Sequence, residues 1–65
     1  MKFEFTEDEY NEIVKKAMLN EELAQIFKMR IMDYSIIKIS FEMHMSTRTV
    51  NRRIKELKKK ILKVL

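Results

Sequence analysis

An all-α, compact four-helix domain is the fold predicted by three features of this 65-residue sequence. Glycine and proline are both absent, so the tight turns that an all-β chain of this size needs would lack their usual residues. Ile, Leu, Met, Glu and Lys are abundant instead. Finally, apolar residues recur at steps of three and four, and each recurring stretch follows a Thr, Asn or Ser able to cap a helix.

The first predicted helix covers 7–18. Thr6 is its N-cap, Glu9 completes a T-x-x-E capping box, and Phe5 and Tyr10 occupy the hydrophobic-staple positions. Tyr10, Ile13, Val14 and Ala17 make its apolar stripe. Asn20 caps a second helix over 21–32, where Glu21 and Glu22 suit the positive end of the helix dipole and Leu23, Ile26, Phe27 and Ile31 face inward. After the break at Asp33-Tyr34, Ser35 caps a short third helix over 36–43. A turn at His44-Met45 follows. Ser46 then caps the last helix, 47–63, along which Val50, Ile54, Leu57, Ile61 and then Val64 or Leu65 form both a core stripe and a short heptad seam.

A chain of this length is one domain near the lower limit for a self-sufficient core, which places binding ahead of catalysis. No acid–base pair, nucleophile arrangement or phosphate-cradling glycine loop is present, so no enzyme is expected. Nor is a cofactor. Cysteine is absent and His44 is the lone histidine, which leaves neither a disulfide framework nor a metal site. With no signal peptide and no membrane-length apolar run, a cytoplasmic location is expected. The six methionines read as core filler.

The net charge of +4 is unevenly distributed. Residues 1–34 carry five basic and eight acidic side chains (5 − 8 = −3), whereas residues 35–65 carry nine basic and two acidic ones (9 − 2 = +7). An acidic supporting half thus precedes a basic half with the footprint of a polyanion binder.

The pattern inside the basic half is more informative than its charge. Two short helices joined by a tight turn, the second opening on a Ser cap and rich in Arg and Asn, make a helix-turn-helix arrangement. Ile39, Met43, Met45, Val50 and Ile54 must face inward to lock the helices together. Thr47, Arg48, Asn51, Arg52 and Lys55 then face outward on the last helix. Arg can grip guanine through two hydrogen bonds, Asn can do the same with adenine, and Thr can meet a thymine methyl. A solvated amphipathic face is the plainer reading of the same residues.

Residues 27–61, and above all "MSTRTVNRRI", resemble the helix-turn-helix of bacterial sigma-factor region 4 and the related LuxR-type domains. The family pattern S-x-x-x-I-A-x-x-L-G-[IVM]-S-x-x-T-V-x-x-R appears here as Ser35, Ile39, Ser40, Met43, His44, Met45, Ser46, Thr49, Val50 and Arg53, with Ser40 in place of the small alanine. His44 stands at the turn glycine, where the backbone takes positive φ, and His is among the few other residues enriched there. The resemblance implies a double-stranded DNA-binding transcriptional regulator, with small phage or mobile-element proteins as the nearest kind. Thr47, Arg48, Asn51 and Arg52 would approach bases; Ser46, Thr49, Arg53 and Lys55, with Ser35 and Lys38, would hold phosphates. RNA polymerase is a conceivable further partner, although no sequence feature supplies such a contact.

Several readings stay open at this level. Arg53 is placed equally well to pair with Glu56 or Glu42. Ile37 and Phe41, at i and i+4 of the third helix, are expected to be covered by the first helix, with a self-association surface as the alternative. One short readout helix favours a homodimer on an inverted repeat, through Leu57/Ile61/Leu65 or Ile37/Phe41. A membrane surface is not expected, because the apolar face of the last helix is needed by the core. The competing class is a small protein-interaction module whose basic helix docks on an acidic partner or on transcription machinery.

Overall fold

The computed structural model describes residues 2–65, and these form four helices: α1 (Glu7–Lys16), α2 (Glu21–Ile31), α3 (Ile36–Glu42) and α4 (Thr47–Val64). The radius of gyration is 11.0 Å, matching the roughly 11 Å expected of a folded chain of this length. Among the described residues no helix is long and apolar enough to cross a membrane.

All four predicted N-caps are in place. Thr6, Asn20, Ser35 and Ser46 have extended backbones, and their side-chain oxygens accept from the N–H groups of Glu9, Leu23, Lys38 and Thr49. Glu9 answers by accepting from the Thr6 N–H at 2.8 Å, which closes the capping box. Each such cap is worth about 1 kcal/mol to a helix.

The other helix ends carry the main local surprise. α1 stops two residues earlier than the spacing predicts, at Lys16, and three residues adopt positive φ: Met18 (50°), Asp33 (65°) and His44 (54°). Each sits just past a helix, and the hydrogen bonds repeat. Leu19 donates to the Val14 carbonyl, Tyr34 to Met29 and Met45 to Ser40, while Met18, Asp33 and His44 donate to Lys15, Arg30 and Phe41. These are Schellman closures, which normally use glycine at the left-handed position. The chain makes three of them without one. The sequence signals the break at Asp33 and the turn at His44, and Asp and His are among the few non-glycine residues enriched at positive φ; Met18 follows no residue preference and is 84% exposed.

α4 packs against α1, α2 and α3, and supplies the axis of the core. Val50, Leu57 and Ile61 are fully buried and Ile54 nearly so, facing Ile13, Leu23, Ile26, Phe27 and Ile39. Burying one such side chain contributes about 1.5–3 kcal/mol. Met43 and Met45 pack against this cluster from the turn.

Phe27 gathers an aromatic group at the other end, with ring centroids 6.1 Å from Phe3, 5.4 Å from Phe5 and 5.1 Å from Tyr10. The staple residues therefore meet on a shared third ring. The Tyr10 hydroxyl donates to the Ala24 carbonyl at 3.0 Å, tying α1 to α2, and burial raises its pKa above the ordinary tyrosine value. Arg30 Nη1 donates to the Tyr34 carbonyl at 2.8 Å, and its guanidinium lies 5.7 Å from the Phe3 ring centre.

Three expectations require correction. α1 does not cover Ile37 and Phe41, which are 64% and 76% exposed. The Leu57/Ile61 part of the proposed dimer seam is committed to the domain's own core, leaving only Leu65 exposed. Arg53 pairs with neither Glu56 nor Glu42 but with Glu22, as described below.

Candidate functional site

Why α4 presents a polar face follows from its sequence. Val50, Ile54, Leu57 and Ile61 occupy one side and are drawn into the core. At 100° per residue, Thr47, Arg48, Asn51, Arg52 and Lys55 then fall within an arc of about 140° on a separate side. All five are exposed. Lys59 and Lys63, also exposed, extend the Arg48–Arg52–Lys55 ridge toward the end of the helix. The first three turns thus combine basic, amide and hydroxyl groups, while the later turns present lysines beside the exposed Leu62.

The Ser46 cap fixes the start of this face. Its hydroxyl accepts from the Thr49 N–H at 3.1 Å and donates to Thr49 Oγ1 at 3.0 Å. Thr49 is half-buried, and both side chains are already engaged in holding the helix terminus. Their availability to a ligand is less than that of Thr47, whose side chain is exposed one residue into the helix.

Arg53 stands apart from the other predicted site residues. Its helical angle places it about 100° beyond Arg52, outside the arc of the exposed face and toward α2. There Nε donates to Glu22 Oε1 of α2 at 2.6 Å, with the two side chains 36% and 39% exposed. Sequence reasoning missed Glu22, because its partner lies 31 residues away and the acidic pair Glu21-Glu22 already made sense as first-turn charges.

Ser35 and Lys38 lie on the first turn of α3, at the other end of the α3–turn–α4 unit. The Ser35 hydroxyl accepts from the Lys38 N–H at 3.1 Å. The Lys38 ammonium lies 4.1 Å from the Tyr34 ring centre, a cation–π distance that draws it back along the helix.

Among the described residues, the shallow grooves elsewhere bring together fewer basic and amide side chains than this face. One of about 300 Å³ lies between α1 and α2 and is lined by Phe5, Tyr10, Lys28 and Met32 among others. Among the described residues no cluster of three His, Cys, Asp or Glu side chains could hold a metal ion. Comparison with known protein families, with characterised proteins and with solved structures finds no match for this chain.

Proposed function

We propose that this protein is a sequence-specific double-stranded DNA-binding regulator of transcription, with α3 and α4 as a helix-turn-helix and α4 entering the major groove. One observation carries the reading. Thr47, Arg48, Asn51, Arg52 and Lys55 share an exposed face at the start of a helix whose opposite side is anchored in the core. A B-form major groove about 12 Å wide admits such a helix. A rigid anchor is what base readout needs, since loose placement would blur hydrogen bonds that discriminate by direction.

In this arrangement Arg48 and Arg52 offer paired donors to guanine N7 and O6, Asn51 offers a donor and an acceptor to adenine, and Thr47 offers a methyl to thymine. Lys55 reaches phosphate, and Lys59 and Lys63 add longer-range attraction along the same ridge. The free N–H groups at the start of α4 contribute positive potential to the same end. Ser35 and Lys38 offer a second point of phosphate contact on α3. One helix reads only a few base pairs, so useful specificity favours two copies on an inverted repeat.

Selection of bound duplexes from a random library tests the reading, followed by binding measurements on the enriched sequence. Specific binding should be lost in the double variant Arg48→Ala/Arg52→Ala while the helical circular dichroism is retained. Selective capture of acidic peptides, with no duplex enriched at low salt, would instead support the protein-docking alternative.

A further inference from the structure

Ile37 and Phe41 stand one turn apart on α3, exposed on a domain that otherwise buries most of its large apolar side chains. Beside this apolar ridge runs a second one, Lys38 and Glu42, also one turn apart and also exposed. Both are pairs of unlike residues with the same spacing. That pattern distinguishes the ways in which two copies of the helix can meet.

We propose that this face of α3 is an isologous contact with a second copy of the chain, the two α3 helices lying antiparallel about a twofold axis. The twofold sets Ile37 of one copy against Phe41 of the other and, on the same side of both helices, Lys38 against Glu42; each contact occurs twice. A parallel arrangement would carry the Lys38 and Glu42 ridges of the two copies to opposite sides of the contact, so only the antiparallel one brings the unlike charges together. When Ile37 faces Phe41 of the second copy, Glu42 of that copy falls about 3 Å beyond Lys38 toward the N-terminus of α3. The Lys38 ammonium is drawn in that direction, toward the Tyr34 ring.

The contact is small. The two apolar side chains offer on the order of 300 Å² per copy, against about 800 Å² in a stable interface. The free chain is therefore monomeric at low concentration and self-associates with a dissociation constant on the order of a millimolar. Two half-sites on one duplex supply a local concentration of about that size, so the face serves as a cooperativity contact. That role rests on the DNA-binding reading; the contact itself does not.

The test therefore uses the full chain without DNA. Sedimentation and amide shifts are followed from about 0.1 to about 5 mM, a range that brackets the expected constant. The expected result is a rising average mass, with shifts at Ile37, Lys38, Phe41 and Glu42 and none along Thr47 to Lys55. Phe41→Ser should abolish the rise. Lys38→Glu and Glu42→Lys should each abolish it alone, and an equimolar mixture of those two variants should restore it, because each copy then opposes unlike charges. Both charge substitutions suit the helix, an acid three residues after the Ser35 cap and a base in the last turn, so loss of association will not reflect unfolding. A chain that stays monomeric throughout, or a mixture no better than either variant, overturns the proposal. Neither result bears on whether Arg48 and Arg52 bind DNA.

Discussion

Glu22→Gln separates the two roles that Arg53 can play, because its effects on stability and on DNA binding should have opposite signs. In the free protein Arg53 Nε and Glu22 Oε1 are 2.6 Å apart, and both side chains are more than a third exposed. Solvent screening limits such a pair to about 0.2–1 kcal/mol. Glutamine retains an acceptor, so a loss of about 0.5 kcal/mol is expected, which for a domain of this size lowers Tm by about 2–4 °C. A helix in the major groove has a phosphate strand along each flank, and Arg53 lies past the Arg52 edge of the exposed face, about 100° further round α4. Removing the carboxylate frees the guanidinium for one more phosphate. The slope of log K against log salt should then steepen by about 0.9. Between about 50 and 200 mM salt, that adds roughly a 3.5-fold loss of affinity to the wild-type decline, from a higher value at low salt. Thermal melts and fluorescence anisotropy on the selected duplex measure the two effects. Arg53→Gln in the Glu22→Gln background should cancel the gain. Unchanged slope and affinity in Glu22→Gln would refute the reasoning, since Arg53 would then contact no phosphate even when released.

Further expectations concern the fold that presents the site. Met18→Gly should stabilise the protein: a left-handed non-glycine residue costs about 1–2 kcal/mol and added unfolded-state freedom returns roughly 0.5–1, leaving a net gain of about 0.5–1 kcal/mol in urea melts. His44→Gly should gain less, because His tolerates that conformation better. Leu57→Ala should lose about 2–5 kcal/mol, since Leu57 is fully buried at the centre of α4; a loss under about 1 kcal/mol would place it outside the core. Burial raises the Tyr10 pKa, so the fold favours the protonated phenol. Its contribution is fully present below the unfolded value of about 10 and is lost as pH rises through the folded value. Tyr10→Phe should accordingly flatten the alkaline part of the stability–pH curve.

Helix number, order and all four N-caps were legible in the sequence because each rests on residues within one turn of one another. Thr6 with Glu9 and Ser46 ahead of Val50 are local signals that the core does not contest. The stripe Val50, Ile54, Leu57, Ile61 was equally plain, but periodicity marks a buried face without saying what buries it. Leu57 and Ile61 therefore read as a dimer seam as readily as core. Long-range partners were invisible for the same reason: nothing near Arg53 points to Glu22, and nothing near Ile37 tells whether α1 reaches it. The closure at Met18 escaped because its hydrogen bonds, not its residue type, define it.

The central claim, that the exposed face of α4 binds duplex DNA, is tested most directly by the salt dependence of binding with and without Arg48 and Arg52. For the wild-type chain, four or so phosphates neutralised along α4 should give a slope of about −4 in log K against log salt. Arg48→Ala/Arg52→Ala should lose sequence preference and make the slope shallower by up to about 2, with the fold intact. No detectable binding to genomic or selected duplexes at low salt, or binding indifferent to both arginines, would contradict the account.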